Sequence, residues 1–110
     1  MKISIITVTL NSDQTIRDTL NSVFSQTYKN IEHIIIDGGS KDQTLPLLKR
    51  YPNKKKKIFI KKNFGIYKSI NYGIKKASGK YVCILNSDDI FQSNDSINNI
   101  VKIINKNKNF

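Results

Sequence analysis

The residues of this chain best suited to chemistry are acids, amides and hydroxyls that follow β-branched runs. Asp88 and Asp89 stand side by side in Asn86-Ser87-Asp88-Asp89, directly after the run Tyr81–Leu85. Adjacent carboxylates repel unless a cation or hydrogen bonds hold them, and an all-oxygen pair suits Mg²⁺ or Mn²⁺ bridging to a diphosphate. The same residues also fit a cap on a helix beginning near Ile90. Asp37 ends the run Ile31–Ile36 and precedes Gly38-Gly39-Ser40. An acid there can read a nucleoside, or simply hold a turn. Thr9, Leu10 and Asn11 close the first run and complete a set of polar groups suited to a nucleotide.

Other reactive groups point elsewhere. His33 lies within a strand, with no second His or Cys at ligand spacing, and reads as a structural residue. Cys83 reads as a small core residue. Glu32, the single glutamate, sits in a strand and is poorly placed as a general base. Gly73–Lys80 carries a glycine and a Gly-Lys pair, but five residues intervene and Tyr81 stands where a P-loop needs Ser or Thr. No Gly-x-Gly-x-x-Gly follows the first strand.

Groups spread over the chain reach one rim only if strands and helices alternate. Residues 2–9, 31–36, 57–60 and 81–85 are apolar or β-branched runs of strand length. Between them, apolar residues recur at helical spacing: Ile16, Leu20, Val23 and Phe24; a short segment at 43–50; Ile66, Ile70, Gly73, Ile74 and Ala77; then Ile97, Ile100, Val101 and Ile104. Asn11-Ser12-Asp13 offers a cap to the first helix, and Gly79 a left-handed stop to the third. The pattern predicts an α/β fold, a mostly parallel sheet flanked by helices on both faces. In such sheets ligands bind outside the carboxyl ends of the strands, so the loops after Thr9, Ile36, Ile60 and Leu85 share one rim.

Length and composition bound the rest. At 110 residues the chain fits one domain able to bury about two-thirds of its unfolded surface. One cysteine excludes a disulfide scaffold, and no apolar run is long enough for a membrane span or reads as a secretory signal. The net charge is +11, and all of the excess lies in residues 49–80, which hold twelve Lys or Arg and no acid. Such a stretch suits a diphosphate, anionic lipid headgroups or nucleic acid. Ile, Lys and Asn make up 49 of the 110 residues, so AT-rich coding explains it as well. Seventeen lysines against two arginines argue against nucleic-acid readout, where the guanidinium is preferred.

Five segments then carry a resemblance: Ile3-Ser4-Ile5-Ile6-Thr7-Val8-Thr9-Leu10-Asn11; Ser25-Gln26-Thr27-Tyr28; Ile35-Ile36-Asp37-Gly38-Gly39-Ser40-Lys41-Asp42; Asn63-Phe64-Gly65-Ile66-Tyr67; and Leu85-Asn86-Ser87-Asp88-Asp89. In order and spacing they resemble the N-terminal half of the family 2 glycosyltransferases with the GT-A fold, over about residues 1–92. The resemblance implies a Rossmann-like nucleotide-binding half and a nucleotide diphosphosugar donor, a UDP-sugar in many relatives. Thr9 and Leu10 would line the base pocket, Asp37 would hydrogen-bond the base, and Asn63 would belong to the donor loop. Asp88 would touch the ribose and, with Asp89, hold a divalent cation, Mn²⁺ or Mg²⁺.

It further implies a cell-envelope glycan or lipid-linked acceptor and a cytoplasmic protein; the basic stretch of residues 49–80 separately offers an alternative, a non-catalytic module in peripheral contact with the inner, anionic face of the membrane. The family's acceptor-activating carboxylate comes from the second half of the domain, and none of the eight acids here is its counterpart. Residues 1–110 are therefore expected to form a truncated donor-binding domain. Its polar tail should fray from about residue 105, and an apolar face and strand edge should be open to self-association. The wording departs from close relatives in three places, the first being Lys61 and Lys62 beside Asn63, where an acidic lead is usual. Lys68-Ser69-Ile70-Asn71 stands where they carry Asp-Ala-Met-Asn, and Asn86 where many carry Asp.

Overall fold

The computed structural model describes residues 1–107. Strands and helices alternate as β1 (Ile3–Thr9), α1 (Ile16–Phe24), β2 (Ile31–Asp37), α2 (Thr44–Arg50), β3 (Lys56–Ile60), α3 (Gly65–Lys76), β4 (Tyr81–Ile84) and α4 (Ser96–Lys106). The strands form one parallel sheet in the order β3-β2-β1-β4. The two central strands are buried along nearly their whole length, which is why β1 and β2 read as continuous apolar runs. Thr9 pairs with Asp37 and Asp37 with Ile60, so three strands end level at one rim.

Successive crossovers explain where the helices lie. The chain moves outward from β1 to β2 to β3 and then returns to the far side of β1. With a fixed crossover hand, that reversal places α3 on the opposite face from α1 and α2. On one face Ile35 packs with Ile16, Leu20 and Leu48, while Ile3 and Ile5 pack with Val23, Ile97 and Val101. On the other, Ile6, Ile34 and Ile36 meet Phe59, Tyr72 and Ala77 beneath α3. There α3 lies so close to β1 that a Cβ on Gly73 would come within 2.7 Å of the Ile6 side chain. The second face is only partly covered: Val82 and Ile84 of the edge strand β4 stay exposed.

Several local expectations change. The residues Asn11-Ser12-Asp13 do not cap α1, whose N-cap is Thr15 with no side-chain bond; their polar groups tie loops together instead. Gly79 is not a left-handed stop. The only described glycines with positive φ are Gly39 and Gly65, and α3 ends where Ala77 turns extended. Gly79 is demanded by space, because a Cβ there would lie 2.5 Å from Ser4 Oγ and 2.7 Å from Ser4 N. No helix begins at Ile90, which removes the capping role for Asp88 and Asp89. The last helix holds through Lys106; of the tail expected to fray, residues 108–110 lie outside the described residues.

Candidate functional site

The order β3-β2-β1-β4 puts the topological switch between β1 and β4, where a crevice opens at the carboxyl ends. Hydroxyls close it from both sides. Ser12 Oγ and Ser87 Oγ lie 3.1 Å apart, and Thr15 Oγ1 donates to the Ser87 carbonyl at 3.0 Å. Thr19, fully buried in α1, reaches the carbonyls of Ser87 and Asp89 at 2.9 and 2.7 Å. A bond from Asp89 N to the Asn86 carbonyl then folds 86–89 into a turn. The acidic loop is therefore positioned by threonines some seventy residues earlier.

Asp88 and Asp89 are both exposed, and among the described residues no protein donor reaches either carboxylate. Asp88 lines a hollow of about 390 Å³ against α1, with Thr15, Asp18, Asn21, Ser22 and Ile90. No group of three His, Cys, Asp or Glu side chains gathers among the described residues. Two free hard-oxygen ligands on a held turn fit a divalent cation that takes the rest of its coordination from a bound diphosphate and water.

A second hollow, of about 310 Å³, brings together Thr9, Leu10 and Asn63 with Val8, Gly38, Phe64, Gly65, Ile66 and Ser69. Asn63 and Gly65 take left-handed backbone, φ 63° and 75°, to turn the chain into α3. Phe64, the N-cap of α3, offers no capping bond, so no side chain claims the first-turn amides of that helix, whose Gly65 and Ile66 line the hollow. Thr9 adds a buried Oγ1 that has no hydrogen-bond partner. Three cations stand near this wall. Lys62 lies across Gly39, while the ammonium groups of Lys61 and Lys68 rest over the rings of Tyr72 and Phe64, at 4.6 and 4.4 Å from the centroids.

Asp37 is placed differently from these two hollows. It is fully buried, and its carboxylate holds its own loop: Oδ2 accepts from Gly39 N at 2.8 Å and Ser40 N at 2.7 Å, Oδ1 from Ser40 Oγ at 2.6 Å. That loop is tied on to β1, since Asn11 N donates to Ser40 Oγ and Lys41 N to Asn11 Oδ1. The rim is thus one hydrogen-bonded frame, with Thr9, Leu10 and Asn63 in one hollow, Asp88 in another, and Asp37 beneath.

The groups set aside as structural behave accordingly. His33 is buried, with Nε2 2.8 Å from Thr7 Oγ1, and burial pushes its pKa down to about 3. Cys83 packs partly buried against the core, where burial raises its thiol pKa. Glu32 accepts bonds from Ser4 Oγ at 2.5 Å, Ser78 N at 2.6 Å, Lys57 Nζ at 3.0 Å and Ser78 Oγ at 3.0 Å. Burial alone would raise its pKa, but these bonds outweigh it and hold the value at about 2. Sequence reasoning missed Thr15 and Thr19, whose polar groups on an otherwise amphipathic helix were the one available signal.

Comparison with known proteins follows the same pattern. The sequence profile described as "Glycosyl transferase family 2" matches residues 4–110. An uncharacterized glycosyltransferase of Rickettsia typhi is 38% identical over 104 residues, 94% of this chain and 32% of that protein. A cholesterol galactosyltransferase of Borreliella burgdorferi is 37% identical over 94 residues, 84% of this chain and 26% of that protein. Among solved structures, S. aureus TarS 1-349 in complex with UDP superposes with a TM-score of 0.90 and 31% identity, over 98% of this chain and 33% of that one. The same TarS fragment has been solved with UDP-GlcNAc. The chain spans about a third of the length of the first of these relatives.

Proposed function

Because the chain belongs to glycosyl transferase family 2, we propose that residues 1–110 form the donor-binding half of a GT-A enzyme. That enzyme would move a sugar from a UDP-sugar to a cell-envelope glycan or lipid-linked acceptor on the cytoplasmic side. The observation that carries this reading is the rim hollow in which Thr9, Leu10 and Asn63 meet the uncapped first turn of α3. Oriented amides beside an amide side chain suit the carbonyls and N–H groups of a base and the oxygens of its ribose. Asp37 acts by holding the Gly38–Ser40 turn that forms the hollow's edge.

Asp88 and Asp89 would hold Mn²⁺ or Mg²⁺, and Asp88 would also meet the ribose. The ion's chemistry there is to neutralise charge on the departing nucleoside diphosphate. This chain's own part is to keep the acidic turn in place through Ser12, Thr15 and Thr19, and to hold Lys61 and Lys68 over aromatic rings beside an anionic donor. Transfer also needs a base for the acceptor hydroxyl. By resemblance to the family, that base would come from the second half of the domain, outside residues 1–110, and Glu32 and Asp37 are occupied by internal bonds. Calorimetric titration of UDP in the presence of Mn²⁺ tests the shared step. Heat that weakens both without metal and in Asp89→Ala, leaving a residual metal-free binding, supports it; absence of heat from the wild-type chain refutes it.

One observation favours a second reading, a donor-binding module that covers its open sheet edge by self-association. Val82 and Ile84 are 40% and 43% exposed on edge strand β4. A dimer in light scattering that Val82→Lys converts to monomer supports it, whereas a monomer at all concentrations refutes it.

A further inference from the structure

A cleft lies at the other end of the sheet from the rim. It measures about 410 Å³ and opens between the loop after α1 and the loop before β3. Its floor is aliphatic and aromatic, with Val23, Phe24, Ile31 and Pro52, and its lips carry Lys29, Lys54 and Lys55. The lips are joined, because Lys55 Nζ donates to the Lys29 carbonyl at 2.6 Å. Phe24 is 49% exposed and stands edge-on to Tyr51 at 5.8 Å. Beyond that pair a second cleft shares Pro52 and adds Arg17 and Arg50. No aspartate or glutamate lines either cleft.

Several other cations of the basic stretch are engaged within the protein. Lys57 is paired with Glu32, Lys56 caps the carbonyls of Tyr51 and Asn53, and Lys61, Lys68 and Lys76 lie over the rings of Phe59, Phe64 and Tyr72. Lys54 is exposed and makes no side-chain hydrogen bond among the described residues. Uncompensated positive charge therefore surrounds an apolar cleft, away from the rim where the donor is proposed to bind.

We propose that this cleft seats the headgroup of an anionic phospholipid, docking the chain on a membrane surface by its Lys29, Lys54 and Lys55 end. The lysines would take the phosphate and the apolar floor the start of an acyl chain, with Phe24 and Tyr51 at headgroup depth. A lipid fits better than a nucleic acid, which would need open stacking faces along a groove. Here Phe24 and Tyr51 are turned edge to face on each other. The site does not depend on donor binding.

Cosedimentation with phosphatidylcholine vesicles, with and without phosphatidylglycerol, tests it on the full chain. Binding should require phosphatidylglycerol and fall with salt. The triple variant Lys29→Gln/Lys54→Gln/Lys55→Gln should lose about tenfold or more in partitioning, while Lys75→Gln/Lys80→Gln/Lys102→Gln, equal in charge, should lose less than about threefold. Lys54→Glu alone, at a side chain without internal bonds, should weaken binding by about fivefold with the fold intact. Equal losses from the two triple variants would overturn the site in favour of net charge alone. So would binding indifferent to phosphatidylglycerol, or loss of RNA-homopolymer binding with vesicle binding unchanged.

Discussion

Glu32 and the pair Asp88–Asp89 are carboxylates at opposite ends of one sheet, and the protein treats them in opposite ways. Glu32 faces α3 near the start of β2, where Ser4, Lys57 and both polar groups of Ser78 converge on it. Asp88 and Asp89 follow the end of β4, exposed, with no protein donor within reach among the described residues. A buried charge must be satisfied by the protein itself, and once satisfied it has little left for a ligand. A rim charge held on a fixed turn but left unpaired keeps its full capacity for a cation. Acids of one chemical type thus divide into a fastener of the fold and a pair suited to binding, according to which end of the strand they occupy.

The largest expected effect concerns acid stability and should centre on the buried His33 and Glu32. His33 titrates near 3 when folded against an ordinary 6.5, so the unfolded chain takes the proton first and stability is lost as pH falls below about 6.5. The slope is about 1.4 kcal/mol per pH unit. Glu32, near 2 when folded against 4.5, adds a second proton's slope below about 4.5. Urea midpoints across pH should show both segments; His33→Gln should flatten the upper one, and Asp88→Ala should alter neither. Next, Glu32→Gln should cost about 3 kcal/mol at pH 7, read from the urea midpoint at constant slope, because Ser4 and the Ser78 amide lose a charged acceptor.

Smaller effects belong to the rim. Asp89→Ala should leave the melting temperature within about 1 °C while weakening Mn²⁺-dependent UDP binding about tenfold or more. Thr19→Val, which removes the hydroxyl under the acidic turn without touching a ligand, should weaken that binding about threefold. Metal-free UDP binding should stay unchanged in Thr19→Val, whereas an equal loss with and without metal would mark a general packing defect. If Asp89→Ala instead destabilised the fold as Glu32→Gln does, the contrast between the two ends would fail.

Much of the rim was legible in the sequence because it depends on local pattern. The β-branched runs set the strands, and their polar ends set Thr9, Asp37, Asn63 and Asp88 near one edge. Strand order was not legible, since periodicity does not tell which strands pair. The glutamate hub was hidden for a related reason: Ser4 and Ser78 lie 28 and 46 residues from Glu32, and only the parallel register and the end of α3 bring them together. The need for Gly79 was equally invisible, because it arises from contact with Ser4 across the chain rather than from the turn itself. The basic stretch misled by its uniform composition. Folding spends several of its lysines on rings, carbonyls and Glu32, and leaves others around a cleft at the far end.

The central claim, that the rim rather than any other surface receives a nucleoside diphosphate, is tested most directly by amide NMR shifts during titration with UDP and a diamagnetic Mg²⁺. The account predicts shifts concentrated at Thr9, Leu10, Gly38, Asn63, Gly65 and residues 86–89, with Glu32, Ser78 and Lys54 unmoved. Saturating UDP that shifts the Lys29–Lys55 cleft or the Glu32 region, and leaves Asn63 and residues 86–89 in place, would contradict it.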